Sequence, residues 1–102
     1  PLAKMNAKMQ IMLDENTSLV SAYALNISEL TFSSEAAKER FLQSLTDNLV
    51  SVTFDKATST ATLHLQLQYT AEKKWSVAEW NNYLQGNAGR YMKNYERINA
   101  KN

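Results

Sequence analysis

Apolar and polar residues alternate in four stretches of this chain and recur at three- and four-residue spacing in two others. Met9, Ile11 and Leu13 alternate with Gln10 and Met12, which predicts a strand over 8–13. Asp14-Glu15-Asn16-Thr17-Ser18 is turn chemistry, because short polar side chains bond their own backbone. The run 19–28 predicts a second strand, with Leu19, Tyr23, Leu25 and Ile27 on one face and Val20, Ala22, Ala24 and Asn26 on the other. A third is expected over 50–54, where Val50, Val52 and Phe54 alternate with Ser51 and Thr53. After the turn Asp55-Lys56-Ala57-Thr58-Ser59, a fourth sets Leu63, Leu65, Leu67 and Tyr69 against Thr62, His64, Gln66 and Gln68. That pattern belongs to a half-buried strand with one wet face.

The helical stretches begin at serines. Ser33 or Ser34 caps a helix over 34–48, which buries Ala37, Phe41, Leu45 and Leu49 at four-residue spacing, with Leu42 widening the stripe. Ser76 opens the last element, where Val77, Trp80, Leu84, Tyr91, Tyr95 and Ile98 fall on one stripe. A straight helix over 76–98 would be roughly 34 Å long, against about 22 Å for the first. It therefore overhangs the sheet or breaks. Gly86 and Gly89 mark the break, since glycine costs up to about 1 kcal/mol in a helix interior.

Two segments repeat one another. IMLDENTSLVSAYALN and VTFDKATSTATLHLQL each read as alternation, Asp-led turn, alternation. Phe32-Ser33 and Trp75-Ser76 then open the two helices. The doubling predicts an α+β fold of ββαββα order: a four-stranded antiparallel sheet with two helices on one face. Residues 1–7 precede the first alternation and read as a flexible arm, leaving 8–102 as one domain.

Composition narrows the function more than the fold. The formal charge of +1 supplies no field to draw in nucleic acid or a membrane surface. Cysteine is absent, which removes disulfides and thiolate chemistry and leaves the compartment open. No apolar run approaches the roughly 18 residues that span a bilayer. Lys4 and Lys8 interrupt the start of the chain, so no signal-peptide pattern is read there.

The stretch from Ser33 to Leu84, with Asn48-Leu49-Val50-Ser51-Val52 after its first helix and SVAEWNNYL at its end, resembles the middle of heavy-metal-associated domains. That resemblance implies a permuted ferredoxin-like scaffold. The family's metal loop precedes the first helix and carries two cysteines. The matching stretch Leu30-Thr31-Phe32-Ser33-Ser34-Glu35-Ala36 has none, so the resemblance carries no metal function.

Side chains with chemistry are scattered. His64 has only Thr62 and Gln66 as strand neighbours, which are weak metal ligands. Met5, Met9 and Met12 read as adaptable core filler rather than a copper site. The acids lie in turns or on helix surfaces, with no convincing pair. No catalytic residue, cofactor or metal is expected. The first functional expectation is a small non-catalytic protein-interaction module that self-associates through its polar sheet face or its C-terminal stripe. There Tyr91, Tyr95 and Ile98, rimmed by Arg90, Lys93 and Arg97, continue the apolar seam past the sheet. The second is a small-ligand-binding domain or enzyme with a pocket near Trp75, Trp80 and Tyr83. The third is nucleic-acid binding through the basic C-terminal helix, with Lys101 as a fourth cation. A helix whose cationic end suits its own dipole accounts for the same residues more simply.

Overall fold

The computed structural model describes residues 1–100. Its elements follow in the order β1 (Leu2–Met5), β2 (Ile11–Leu13), β3 (Ala22–Asn26), α1 (Glu35–Gln43), β4 (Val50–Asp55), β5 (Thr60–Leu65), α2 (Val77–Gly86) and α3 (Ala88–Ala100). The class is α+β. The sheet, however, has five strands in the order β2-β1-β3-β5-β4, and β1 runs parallel to β3. This corrects the four-stranded antiparallel sheet with two helices, and with it the permuted ferredoxin-like order.

The correction starts in the first residues. Leu2–Met5 is a strand and not a flexible arm: Ala3 and Met5 are buried, while Leu2 and Lys4 point outward. Four residues hold too little alternation to announce a strand. A tight turn then reverses the chain. Asn6 Oδ1 accepts from the N–H groups of Lys8 and Gln10 at 2.9 and 3.0 Å, and Met9 takes a positive φ of 66°. β2 pairs antiparallel with one side of β1, and β3 pairs with the other. β2 and β3 therefore form no hairpin, and the doubled ββα unit does not exist.

The second half follows the pattern more closely. β4 and β5 pair antiparallel from Val50↔Leu65 to Asp55↔Thr60. β5 ends at Leu65, earlier than its alternation suggests, because its neighbours run out. The Leu65 N–H bonds Ser21 O, and the Gln66 N–H bonds Leu49 O, both at 2.8 Å. Leu67–Tyr69 is instead a short 3-10 turn.

All three helices contribute to one core. Phe41, Leu42 and Leu45 lie buried with Trp80, Leu84, Tyr91 and Ile98 against the inner row of Met5, Ile11, Tyr23, Val50 and Leu63. Ser34 caps α1, and Ser76 with Glu79 forms a reciprocal capping box on α2. The long seam divides at Asn87, and α3 turns back to lie on α1.

Side chains block part of each edge of the sheet. Asn81, itself buried, accepts from the Leu13 N–H at 2.7 Å and donates to Leu13 O at 3.2 Å. Its amide stands in for a neighbouring strand on the free side of β2. On β4, Asp47 Oδ1 accepts from the Val50 N–H at 2.9 Å and Thr46 Oγ1 from the Val52 N–H at 3.2 Å. Blocking of this kind suppresses edge-to-edge pairing.

Candidate functional site

The face of the sheet away from the helices is bare. Register aligns Leu2, Ala24, Thr62 and Thr53 in one row across β1, β3, β5 and β4. Ala22, His64 and Ser51 align in the next. These residues alternate with the core positions of their strands, so the same register that buries Tyr23 and Leu63 sends them outward. The plane carries few charged groups. Lys4 near its margin is paired with Glu29 at 2.6 Å, and His64 Nε2 lies 3.0 Å from Thr53 Oγ1. Leu2 is 65% and Met12 41% exposed, two of the three large apolar side chains left in water. Sequence alternation located Ser51, Thr53, Thr62 and His64 on this face. It missed the contribution of Leu2, because β1 itself was missed.

The C-terminal stripe is not a free surface. Tyr91 and Ile98 are buried, and Tyr95 packs edge-on against Phe32 and Phe41 with ring centroids 5.8 and 5.5 Å apart. The Tyr95 hydroxyl donates to Thr31 O, and Asn99 Oδ1 accepts from the Ser33 N–H at 2.8 Å. The break at Asn87 is the physical reason: it folds the apolar face of α3 onto α1 rather than past the sheet. Arg90 lies over the Tyr91 ring at 5.4 Å and pairs with Asp47 at 3.2 Å. Lys93 and Arg97 are exposed. Lys101 lies outside the described residues.

Asp47 joins three elements. Its carboxylate accepts from the Leu49 and Val50 N–H groups, from the Tyr83 hydroxyl at 2.6 Å and from Arg90. Burial alone would raise its pKa, but the bonds from Tyr83, Val50, Leu49 and Arg90 outweigh it and hold the carboxyl below its ordinary value. Burial and the facing carboxylate push the Tyr83 phenol up. The cluster fixes the α1–β4 turn to α2 and α3.

The three aromatics expected to form a pocket are brought together. Trp75 and Trp80 lie 5.1 Å apart, with Tyr83 5.8 and 6.1 Å from them. The rings fill the space between themselves, and Trp80 is fully buried. Only an open hollow between Trp75, Glu79, Asn82 and Tyr83 remains outside them.

A larger cleft of about 450 Å³ opens where β3 and β5 part. Their pairing stops at Leu25↔Ala61, and the next residues diverge. Lys38 and Ser59 stand at this cleft, above Leu25, Leu30, Phe32 and Ala61. Nothing in the linear pattern announces it, since it depends on two strands separating.

Among the described residues no three metal-ligating side chains come together, and no helix is long and apolar enough to cross a membrane. Compared with known families, curated proteins and solved structures, the chain matches none.

Proposed function

We propose that the protein is a non-catalytic protein-interaction module that docks through the bare face of its sheet. One observation supports this reading: a plane of mostly small, uncharged side chains stays uncovered on a sheet whose two edges are each partly blocked. Ala22, Ala24, Ser51, Thr53 and Thr62 suit another flat surface, as in sheets that stack about 10 Å apart. The partial blocking of both edges disfavours strand addition as the mode of contact.

The occupant we assign is a second copy of this chain. One plane presented twice is self-complementary across a two-fold axis. Size limits its strength. Five strands about 4.8 Å apart, each about five residues long, make a plane of roughly 400 Å². A standard interface covers about 800 Å² per partner, so the association is weak and reversible.

The other readings have less behind them. Nucleic-acid binding on an open sheet needs exposed aromatic rings, and this plane has none. On α3, Arg90 is already engaged by Asp47. The aromatic cluster near Trp75 is packed with itself.

Sedimentation across a wide concentration range tests the proposal. Ala24→Arg and Thr62→Arg each place a charge in the middle of the plane without entering the core. The expected result is a reversible wild-type dimer, abolished by either substitution at an unchanged melting temperature. A wild type that stays monomeric at about millimolar concentration contradicts it.

A further inference from the structure

We propose that the cleft between β3, β5 and α1 is a binding site for a small amphipathic organic anion, a carboxylate on an apolar chain. The cleft shares Leu2 and Ala24 with the margin of the bare sheet face, but its apolar wall and its cation lie outside that face. Its volume of about 450 Å³ falls in the range of small-molecule sites, roughly 300–1,000 Å³. Its apolar wall comes from Leu25, Leu30, Phe32 and Ala61. Its polar end is Lys38 beside Ser59.

Two features specify the ligand, the first its charge and the second its shape. The Lys38 ammonium is positioned: it donates to Ser59 Oγ at 3.2 Å and lies 5.2 Å from the centre of the Phe54 ring. Among the described residues, no carboxylate lies within ion-pair distance of it. Glu39, the next residue on the same helix, is engaged by Lys56 at 3.2 Å. An ammonium has three donors, and Ser59 takes one. The others, with the Ser59 hydroxyl proton, match a carboxylate. Charge-assisted bonds of this kind are the stronger class.

The second feature is the way the cleft is made. Antiparallel pairing of β3 with β5 ends at Leu25↔Ala61, so Asn26 and Thr60, and Ile27 and Ser59 beyond them, are left unpaired with one another. Ser59 takes a φ of 55°, a left-handed conformation uncommon for a residue with a side chain. Small residues on both strands, Ala24 and Ala61, leave the opening unfilled. An apolar chain entering between the strands would reach Leu30 and Phe32 from the Lys38 end.

Titration of the full chain with butanoate, hexanoate, octanoate, 1-octanol and acetate, followed by backbone amide shifts, tests the assignment. Affinity should rise roughly fourfold per added methylene, the worth of burying one CH₂. Octanoate should shift Leu25, Leu30 and Ala61, and should bind at least about tenfold more tightly than 1-octanol, the difference one charge-assisted bond makes. Acetate should produce no saturable shift. Lys38→Gln should remove the preference for octanoate over octanol while leaving octanol binding unchanged. That second arm also separates loss of the charge from loss of the fold. Thr60→Trp, at the exposed mouth, should block both ligands. The assignment is overturned if octanoate and octanol bind alike, if Lys38→Gln binds octanoate as the wild type does, or if the shifts map elsewhere. No shift at about 10 mM octanoate, a concentration that reveals even millimolar affinity, also overturns it.

Discussion

The turns Asp14–Ser18 and Asp55–Ser59 use the same device and lead to different topologies. Asp14 Oδ1 accepts from the Asn16 N–H at 2.8 Å, and Asp55 Oδ1 accepts from the Ala57 N–H at 2.9 Å. After Asp55 the chain returns alongside itself, and β4 and β5 stay paired along six residues each. After Asp14 it does not. Residues 14–21 step over the start of β1, and β3 settles beyond it. The turn is a local choice made by a few hydrogen bonds. The partner is a non-local choice, made by which strand completes a buried row. β2 is only three residues long and offers little ladder to hold β3. β1 offers Ala3 and Met5 to the core and pairs on both its sides, so it takes the place between β2 and β3.

The largest test of that contrast is to remove the inserted strand. Deleting residues 1–5 takes Ala3 and Met5 from the core and leaves β2 and β3 without a common neighbour. The expected loss is more than about 4 kcal/mol, beyond what ordinary single substitutions cost. Urea unfolding measures it. An unchanged midpoint would mean that these residues are an arm after all.

The helical cover should matter nearly as much on the β4–β5 side. Truncation after Asn87 strips Tyr91 and Ile98 from the core, and Tyr91→Ala alone should cost about 3–5 kcal/mol. A folded truncated chain of wild-type stability would return α3 to the status of a free surface.

The two edges differ in chemistry, and this sharpens the contrast between the halves. Asn81 blocks the Leu13 end of β2 with a neutral amide. Asn81→Leu should cost about 2–3 kcal/mol, because two buried main-chain groups of Leu13 lose their partner. Asp47 blocks the Val50 end of β4 with a carboxylate whose folded pKa lies below the unfolded value of about 3.9. Its linked stability is present above that unfolded value and is lost as pH falls through the folded pKa. Amide exchange in acid should therefore loosen first at Leu49 and Val50, with Leu13 still protected. Asp47→Asn should weaken that pH dependence. Equal loosening at both edges would remove the distinction.

The smallest effects belong to the turns. Asp14→Ala and Asp55→Ala should each cost about 1 kcal/mol, the worth of one local hydrogen bond. Asn6→Ala should cost more than either, because Asn6 Oδ1 accepts two backbone bonds and its amide donates to Gln10 Oε1.

These particulars also explain what was legible. The Asp-led turns, the serine caps, the inner faces of β4 and β5 and the buried stripe of α1 are short-range patterns, and the chain states them plainly. The first strand is hidden because its turn is held by one asparagine and a buried methionine at positive φ, with no glycine or proline to mark it. The end of β5 is hidden because it is set by where β3 and β4 stop. The inward turn of Tyr91, Tyr95 and Ile98 is hidden because a stripe does not say which helix it will meet. On the bare face, Ser51, Thr53, Thr62 and His64 were readable by alternation. The row through Leu2 and Ala24 needed the place of β1. The cleft at Lys38 had no linear signal at all.

The central claim is that other molecules meet the bare sheet face rather than the C-terminal stripe. An amide-shift dilution series on the wild-type chain addresses it most directly. The account predicts concentration-dependent shifts at Ala22, Ala24, Thr53 and Thr62, with Tyr91, Tyr95 and Ile98 unmoved. Shifts gathered on α3 or along the outer edge of β4, with the sheet face silent, would contradict it.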